Sequence, residues 1–496
     1  MPVPEPEPMS ERQLQAAAAL LSSMFPIARE LGEIFAAHGH ELALVGGTVR
    51  DVFLGRSPGD LDLTTDARPE RVLEVVEGWA DQVWTIGIAF GTVGVRKGHQ
   101  VLEITTYRSD EYDRSSRKPV VAYGDSLEED VARRDFTINA IAARLPAVRL
   151  VDPFGGLTDL QNRLLRTPGA PETSFADDPL RILRAARFTA QLGFTVTPDV
   201  RNAMTDMAGR LAPPQVSAER IEGELTKLMQ AALPGGPAAG IALLVDTGVA
   251  DHVLPEVPSL RLESDEHFRH KDVYQHSLTV LNQAIALEPR YELSGDLVLR
   301  LAALLHDIGK PRTRAQLPGG RVAFHHHEVV GAKMARNRLT ELRFSKDVVN
   351  DVSRLIELHL RFHGYGEGEW TDSAVRRYVR DAGPLLSRLH ALTRADCTTR
   401  NKAKALRLGR AYDDLEQRIA DLAEREELAM IRPDLNGDEI MEILGIKPGP
   451  LVGQAYRHLL ELRLEHGPLS HDRAVQELLG WAESAGIEPP TPGPAE

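Results

Sequence analysis

Cysteine and long apolar runs are scarce in this chain of 496 residues, and each scarcity excludes a class of protein. The one cysteine, Cys397, rules out an internal disulfide and fits a reducing compartment. No apolar run is long enough to cross a membrane, and the start, MPVPEPEPMSER, lacks the basic residues and apolar core of a signal peptide. We therefore expect a cytoplasmic protein with no membrane partner.

The chain also lacks a surplus of positive charge. Its 72 Asp and Glu residues outnumber 58 Lys and Arg residues, which gives a net charge of −14. This balance argues against broad, nonspecific coating of nucleic acid, although it is compatible with a local basic face. The remaining composition, 42% hydrophobic and 26% charged, is that of an ordinary globular protein, and the length predicts several domains.

The stretch at 44–65, LVGGTVRDVFLGRSPGDLDLTT, carries the strongest pattern in the sequence. Four apolar residues at 42–45 predict a strand that ends at a Gly-Gly turn, and one or two helical turns follow. Residues 60–65 predict a second strand, on which Asp60 and Asp62 share one face because side chains alternate along a strand.

Two carboxylates on one face repel each other unless cations lie between them, and Mg²⁺ prefers carboxylate and phosphate oxygens. The backbone at Gly46 and Gly47 can approach phosphates closely, and Arg50 can clamp them. The stretch therefore predicts a magnesium and triphosphate site. Asp-x-Asp alone is common in loops, and Gly-Gly alone is only a turn, so the prediction depends on their order and spacing.

That order and spacing resemble the signature of the nucleotidyltransferase superfamily that includes polymerase beta. The closer resemblance is to the bacterial CCA-adding enzymes and poly(A) polymerases, whose pattern is Gly-Gly-x-x-Arg-Asp followed by Asp-x-Asp. The resemblance implies an α+β N-terminal palm, with a polymerase beta-like mixed sheet and helices, followed by all-α domains. It also implies Mg²⁺ on Asp60 and Asp62 and a two-metal transfer of nucleotides.

A third carboxylate, Glu103, lies on a predicted strand at 100–106, the second strand of a hairpin about Lys97 and Gly98. Spacing alone leaves two interpretations open: a solvent-facing glutamate, or a residue that faces the same way as Asp60 and Asp62. The resemblance favours the second, because EITTYR stands where the third carboxylate strand of the family is expected, and Glu103 would then help deprotonate an RNA 3′ hydroxyl.

Two arginine motifs follow. DVARRDFTINA, at 130–140, has an Arg-Arg pair that by itself is typical of a solvated helix face. DDPLRILRAARF, at 177–188, spaces three arginines three apart on a predicted helix, and its alternative interpretation is a surface stripe with local acidic partners. The resemblance to Arg-Arg-Asp-x-x-x-Asn-Ala and to Glu-Asp-x-x-Arg-x-x-Arg implies nucleotide binding instead, by Arg133, Arg134, Asp135, Asn139, Asp178, Arg181, Arg184 and Arg187 together with Gly46, Gly47 and Arg50.

Within the second motif, Asp177 stands where the family usually has Glu. The next pair, Asp178 and Arg181, is predicted to lie three residues apart on one helix. An ionised carboxylate only accepts hydrogen bonds and a guanidinium only donates them, so the pair could read the exocyclic amino group and ring nitrogen that C and A share. The family's Asp-x-x-Arg pair has this role.

The second half of the chain carries a different signature, with His276 in HKDVYQHSL, His306 and Asp307 in LLHDIGKP, and Asp396 in LTRADCT. This order resembles the HD phosphohydrolase superfamily and implies a divalent transition metal, which imidazoles and carboxylates suit. A lone histidine is usually a core or surface residue. His325, His326, His327 and His359 are further candidates that could complete a second metal shell.

The patterns together predict six segments. They are a disordered tail (1–12), the palm (13–165), a helical neck that binds nucleotide and RNA (166–262), an HD domain (263–400), a helical RNA-binding arm (401–486) and a second disordered tail (487–496).

The leading functional hypothesis is template-independent addition of C, C and A to the tRNA 3′ end from CTP and ATP. A poly(A) polymerase shares every front-half motif, although such enzymes often end in a strongly basic extension and this chain does not. A metal phosphohydrolase centred on the HD residues, with the front half as an RNA anchor, is a second class. A non-catalytic RNA-binding protein is a third, and the intact Asp60, Asp62 and Arg181 speak against it.

Overall fold

The computed structural model describes residues 11–56, 59–108, 123–124, 126–212, 215–232, 235–261, 272–318, 321–362, 370–398, 401–426 and 432–487. The chain forms two compact units, of which the first ends at Pro255 and the second begins at Glu256. The division into six segments is finer than these units and stays a prediction. None of the helices described here is both long and apolar enough to span a membrane.

A seven-stranded mixed sheet forms the centre of the first unit, with the strand order β3-β4-β5-β2-β1-β6-β7. All neighbouring strands are antiparallel except β2 and β5, which run parallel. The strands are β1 (Leu42–Val45), β2 (Leu61–Thr65), β3 (Gln82–Trp84), β4 (Thr92–Lys97), β5 (Gln100–Thr106), β6 (Ala142–Arg144) and β7 (Arg149–Val151).

The parallel pair places two predicted acids side by side, because Asp62 is the register partner of Glu103. Their neighbours Leu61, Leu63 and Leu102 are almost fully buried, so the apolar face of both strands lies in the core. The strand predicted at 60–65 and the hairpin about Lys97 and Gly98 are confirmed.

The apolar spacing through Leu14, Leu21, Ile27, Leu31 and Ile34 predicts one helix over 11–38, and this prediction is wrong. The structure has two helices with Phe25 between them. Pro26 begins the second helix, where its missing N–H costs no helical hydrogen bond. The first helix begins at Glu11, inside the tail predicted over 1–12; residues 1–10 and 488–496 of the predicted tails lie outside the described residues. Ile487, also assigned to a tail, packs against the C-terminal core.

Helices surround the sheet and then form the rest of the first unit. A two-stranded parallel sheet of β8 (Leu164–Leu165) and β9 (Thr195–Val196) connects the segments before and after α8. The helices are α1 (Glu11–Met24), α2 (Pro26–Ala37), α3 (Gly47–Phe53), α4 (Pro69–Val76), α5 (Leu127–Ala132), α6 (Gly156–Asn162), α7 (Pro171–Asp177), α8 (Leu180–Leu192), α9 (Pro198–Met207), α10 (Ala218–Met229), α11 (Gly236–Asp246) and α12 (Ala250–Val253).

Asp178 does not share a helix with Arg181, so that prediction is wrong. Asp178 ends α7 with an extended backbone, φ −143° and ψ 100°. A proline disfavours the α conformation in the residue before it, and Pro179 follows directly. The Asp178 carboxylate instead accepts a hydrogen bond from the backbone N–H of Leu180 at 3.1 Å, at the start of α8.

The second unit is helical apart from one hairpin, β10 (Arg314–Leu317) with β11 (Arg321–Phe324). Its last three helices share a small core of their own, which includes Leu435, Leu459 and Leu478. The helices are α13 (Val273–Leu287), α14 (Leu297–Leu305), α15 (Lys310–Thr313), α16 (His327–Glu341), α17 (Lys346–Leu358), α18 (Asp372–Ala382), α19 (Leu386–Asp396), α20 (Lys402–Glu426), α21 (Gly437–Leu444), α22 (Pro450–His466) and α23 (His471–Ser484). The predicted fold class, an α+β palm followed by helical domains, is confirmed.

Candidate active site and metal cluster

Gly46 and Gly47 lie where β1 turns into α3. Gly46 has φ +66° and ψ −131°, a backbone conformation that residues with a Cβ atom rarely adopt. A Cβ atom at Gly46 would lie 2.7 Å from Nη1 of Arg134, and one at Gly47 would lie 3.5 Å from Nη2 of Arg50. Two guanidinium groups therefore reach a backbone turn that a phosphate can approach closely.

The acids of the Asp-x-Asp pattern differ in exposure, since Asp60 is exposed and precedes β2 whereas Asp62 is half-buried within it. Burial raises the pKa of Asp62; Arg134 opposes this shift, and the charges of Glu103 and Asp60 add to it. A divalent cation would relieve this repulsion among three carboxylates, and oxygen ligands of this kind fit Mg²⁺.

Helix α8 carries Arg181, Arg184 and Arg187, and two of the three have acidic partners. Arg184 donates to Asp135 through Nε at 2.7 Å and lies within 2.6 Å of it through Nη2, and Arg187 pairs with Glu224. These acidic partners are 49 and 37 residues away along the chain rather than local, and the pairs hold both guanidinium groups in place.

Arg181 is different, because among the described residues its guanidinium bonds neutral oxygens. It donates to Oγ of Ser174 at 2.8 Å and to the carbonyl oxygen of Arg133 at 2.5 Å. Its charge is thus less compensated than those of Arg184 and Arg187, which makes it the arginine of α8 best suited to bind an anion or a base edge.

A hydrogen-bonded chain ties the Arg-Arg-Asp motif to the Gly-Gly turn. Arg50 donates to Oδ1 of Asn139 at 2.7 Å, and the Asn139 amide donates to Oδ1 of Asp135 at 2.9 Å. Burial by itself would raise the pKa of Asp135, but the Arg184 guanidinium and the Asn139 amide hold it below its usual range. Asp135 therefore stays ionised and fixes both groups.

The structure brings most of the predicted residues to two adjoining cavities. The first, of about 380 Å³, is lined by Gly46, Gly47, Arg50, Asp62, Arg134, Asp135, Asn139, Asp178, Arg181, Arg184 and Arg187. The second, of about 500 Å³, shares Asp62, Arg134, Arg181 and Arg184 with the first and adds Glu103 and Arg133. Asp60 lines neither cavity and acts on Asp62 through its charge.

Six residues of the cavities were not predicted as site residues: Val45, Leu63, Thr105, Arg108, Asp130 and Phe188. Phe188 is buried, yet it lines the first cavity, and the Arg187 guanidinium lies 4.2 Å from the centre of its ring. Arg108 and Asp130 line the second cavity. Arg108 stands five residues after Glu103, but a single sequence gives no signal that its side chain faces the acids.

Asp178 forms an ion pair across α7 and α10, with Nη2 of Arg220 at 2.9 Å from its Oδ2. Both side chains are partly exposed, so the pair is weak. A ligand that donates hydrogen bonds to Asp178 could therefore replace Arg220 at small cost.

In the second unit, His276, His306, Asp307 and Asp396 lie together as predicted. Nε2 of His276 is 2.9 Å from Oδ1 of Asp396 and 3.3 Å from Nε2 of His306. Oδ2 of Asp307 lies 3.3 Å from Nε2 of His306, and its Oδ1 lies 3.3 Å from Nε2 of His327. The carboxylate of Asp307 therefore lies between two groups, His276 with His306 and Asp396 on one side, and His327 with His359 on the other.

Each histidine of this cluster turns Nε2 inward because its Nδ1 has a partner outside the cluster. Nδ1 of His306, His327 and His359 lies 3.0, 2.9 and 2.6 Å from the backbone oxygens of Ala303, Phe324 and Ile356, and Nδ1 of His276 lies 3.1 Å from Oγ1 of Thr398. Outer partners of this kind fix the tautomer of a metal-binding histidine. The donor set fits divalent transition metals.

Charge in the cluster is unevenly distributed. Burial would lower the pKa of His306, but the carboxylates of Asp307 and Asp396 raise it to about 10. Burial, together with the charge of His306, lowers the pKa of His359 to about 3. The carboxylates thus attract positive charge, and His359 is held neutral, the form that binds a metal.

Two of the four further histidine candidates are outside the cluster. His325 and His326 are exposed on the turn between β11 and α16, and His326 has φ +58°. His327 and His359 are buried within it. The sequence could not separate them, because the direction of each ring depends on how α16 and α17 pack.

Comparison with known families gives three matches along the chain. The family model described as "Poly A polymerase head domain" matches residues 42–166, "Probable RNA and SrmB- binding site of polymerase A" matches residues 193–260, and "HD domain" matches residues 273–428. The first match and most of the second lie on the unit that contains the two cavities, and the third match contains the histidine cluster.

Similar proteins cover nearly the whole chain. An A-adding tRNA nucleotidyltransferase of Deinococcus radiodurans is 35% identical over 452 residues, 89% of this chain and 95% of that protein. A CC-adding tRNA nucleotidyltransferase of Thermus thermophilus is 33% identical over 444 residues, 88% of this chain and 93% of that protein. The crystal structure of the Bacillus stearothermophilus CCA-adding enzyme in complex with CTP has a TM-score of 0.68 at 25% identity, over 93% of this chain and 98% of that one.

Proposed function

Because the chain belongs to the family of bacterial tRNA nucleotidyltransferases and poly(A) polymerases, we propose that it adds C, C and A to the 3′ end of tRNA from CTP and ATP, with release of pyrophosphate. The observation that carries the proposal is the register pairing of Asp62 with Glu103 next to the Gly46 turn. It supplies carboxylates for metal binding and a backbone turn for phosphates in one place.

Enzymes of this family depend on divalent metal ions, and we assign Mg²⁺ to Asp60 and Asp62. When bound, Mg²⁺ would neutralise triphosphate charge and hold the attacking and leaving oxygens. Arg50 would bind phosphate oxygens, and Glu103 would accept the proton of the RNA 3′ hydroxyl. We expect this reaction in the cytoplasm.

We assign base selection to Asp178 and Arg181, which line the same cavity although they lie on different elements. C and A each offer an exocyclic amino donor beside a ring-nitrogen acceptor, which match a carboxylate and a guanidinium. U and G offer a carbonyl and a ring N–H there, so a wrong base would leave polar groups unpaired. The ion pair of Asp178 with Arg220 would open when the base binds.

The test uses three tRNA transcripts, which end before CCA, after CC and after CCA. Each is incubated with the protein and Mg²⁺ plus CTP alone, ATP alone or both, and product lengths are read at nucleotide resolution. We expect the first transcript to gain three nucleotides only when both nucleotides are present, and the third to gain none. A long A tail on any RNA would instead identify a poly(A) polymerase.

One half of the reaction is a second candidate, because the two relatives that match most of the chain are named for adding A alone and CC alone. Growth of the CC transcript with ATP, but none of the shorter transcript with CTP, would identify an A-adding enzyme. Growth of the shorter transcript that stops after CC would identify a CC-adding enzyme.

For the second unit, we infer a separate metal-dependent phosphohydrolase with a divalent transition metal. The observation that favours it is the convergence of His276, His306 and Asp396 on one side of Asp307 and of His327 and His359 on the other. The test screens phosphomonoesters and phosphodiesters with Mn²⁺, Co²⁺ or Ni²⁺. Hydrolysis by the wild type and its loss in His306→Ala, with nucleotide addition unchanged, would support the assignment; no hydrolysis of any substrate would count against it.

A further inference from the structure

The second cavity of the palm lies on the side of Asp62 where Glu103 stands. The Gly-Gly turn, Arg50 and Asp178 line only the first cavity, which is therefore suited to the incoming nucleotide. Glu103 lines only the second cavity, and under the proposed function it accepts the proton of the attacking hydroxyl. The second cavity is thus the side from which the 3′ end of the RNA reaches the acids.

Arg108 is the cation of this cavity that the reaction as described leaves without a role. It is the second residue after β5 and is partly buried. Its guanidinium donates to the backbone oxygen of Phe90 and to Oγ1 of Thr92, the latter at 3.4 Å. Its buried Nε has no hydrogen-bond partner among the described residues. A buried donor without a partner costs free energy, so this guanidinium is less well satisfied than those of Arg184 and Arg187.

The charge around Arg108 is positive. Burial lowers the pKa of Arg108, and the nearby charges of Arg133 and Arg134 lower it further, although Asp130 opposes this. The carboxylate of Asp130 is already engaged, since it accepts from Thr64 at 3.2 Å and pairs with Arg134 at 3.4 Å. The cavity is lined by five arginines and by three acids, Asp62, Glu103 and Asp130, so positive charge is in excess beside Glu103.

We propose that Arg108 binds the phosphate that joins the last two nucleotides of the RNA acceptor and so positions the terminal hydroxyl at Glu103. The proposal rests on the proposed function, and it assigns the second cavity to the acceptor and the first to the nucleotide. A phosphodiester is the group of an RNA end that carries charge, and a guanidinium with an unused donor matches it.

The experiment combines variants with chemically altered acceptors. The acceptor is a short RNA hairpin that carries the tRNA end, made with a natural phosphate or a neutral methylphosphonate at the last linkage. Variants are Arg108→Gln, Arg108→Lys and Thr92→Val, which removes one internal partner of Arg108 but no charge. Arg71→Gln, at a partly exposed position of α4, is the control for a lost surface cation. KM for the acceptor and for CTP are measured separately, and acceptor binding is also followed by fluorescence anisotropy without nucleotide.

For the natural acceptor we expect Arg108→Gln to raise KM roughly tenfold or more, the scale of one charged hydrogen bond, and KM for CTP to stay within about twofold. The neutral linkage should weaken the wild type by a similar factor and should not weaken Arg108→Gln further. Arg108→Lys should retain part of the affinity, and Thr92→Val and Arg71→Gln should behave as the wild type.

Two results would overturn the proposal. In the first, Thr92→Val reproduces the effect of Arg108→Gln. Arg108 would then act by holding the segment around Phe90 in place rather than by binding phosphate. In the second, the neutral linkage weakens Arg108→Gln as much as the wild type. Failure of the proposed function is separate: the wild type would add no nucleotides, yet anisotropy would still report whether acceptor binding depends on Arg108 and on the charge of the linkage.

Discussion

Asp62 and Glu103 are register partners on β2 and β5, the one parallel pair in the seven-stranded sheet. Direct partners in a parallel pair point to the same face, and the pleat of both strands fixes the two carboxylates toward one cavity. Glu103 is exposed, as the alternative of a solvent-facing glutamate expects, and it also lines the cavity that Asp62 lines, so its catalytic role stays a prediction.

Removal of the Asp62 charge should lower the activity but raise the stability of the protein. We expect Asp62→Asn to lower nucleotide addition with Mg²⁺ by roughly a thousandfold, because several kcal/mol of transition-state stabilisation depend on the metal. Its unfolding temperature in EDTA should rise, because burial and the charge of Glu103 disfavour the ionised form and raise its pKa. Glu77→Gln, an exposed carboxylate on the same unit, should change neither quantity. A folded Asp62→Asn protein with near-normal activity would contradict the metal assignment.

Gly46 should be needed for nucleotide binding, and not only because a side chain there would strain the backbone. We expect Gly46→Ala to abolish detectable nucleotide binding, because its Cβ would displace the Arg134 guanidinium 2.7 Å away. Gly39→Ala is the matched control: Gly39 has φ +79°, but a Cβ there meets nothing within 4 Å. Both variants should lose about 1–2 kcal/mol of unfolding free energy, and only Gly46→Ala should lose CTP affinity, measured by calorimetry. Equal loss of affinity in both would reduce Gly46 to a folding requirement.

Replacing Asp178 or Arg181 should affect the choice of base more than it affects the overall rate of nucleotide addition. We expect Asp178→Ala or Arg181→Ala to lower the ratios of CTP over UTP and ATP over GTP incorporation by tenfold or more, since each buried mismatch costs about 1–3 kcal/mol. The control is Asp177→Ala, because Asp177 is adjacent and exposed and does not line the cavity. Wild-type ratios with a reduced rate would show that the pair is structural.

The histidine cluster should bind two metal ions. Asp307 presents Oδ2 to His306 and Oδ1 to His327, so its carboxylate can bridge. After growth with Mn²⁺, mass spectrometry should find about two ions per chain in the wild type and about one in His359→Asn. His326→Asn should keep both ions, because that side chain is 83% exposed. One ion in the wild type, unchanged in His359→Asn, would rule out a second metal.

Acid should destabilise the second unit through His390. This ring stacks on Tyr291 and contacts Tyr378, and its burial lowers the pKa of His390 to about 4. An unfolded histidine titrates near 6.5, so the unfolded state binds a proton first and stability falls as the pH drops from about 6.5 to about 4, by at most about 3 kcal/mol. His390→Phe should lack this part of the pH dependence, whereas exposed His471→Asn should retain it, as chemical denaturation at several pH values will show.

The fold was predictable where the pattern was local. Four apolar residues before Gly46 indicated β1, and alternation indicated β2 and the hairpin of β4 and β5. The break at Asp178 was also available from the sequence, since Pro179 follows it, but the regular spacing of the arginines after it favoured a longer helix. There a covalent constraint on the backbone outweighs the helical periodicity.

The rest depends on tertiary packing. Nothing near Phe188 distinguishes a core ring from a ring beneath Arg187, and the choice is made by the helices that α8 packs against. Asp135, the partner of Arg184, lies 49 residues before it, and Glu224, the partner of Arg187, lies 37 residues after it. The spacing of the arginines therefore could not predict either partner.

The histidine cluster bears on how such a protein evolves. A buried charge without its counter-ion lowers stability, and replacement of such groups by apolar residues is often neutral or stabilising. A lineage that no longer used the cluster would lose Asp307, the most buried acid of the set, by drift without harm to the palm, whose acids lie in the other compact unit. The presence of these buried histidines and acids in this chain is what we expect if the hydrolase activity proposed for the second unit exists beside nucleotide addition.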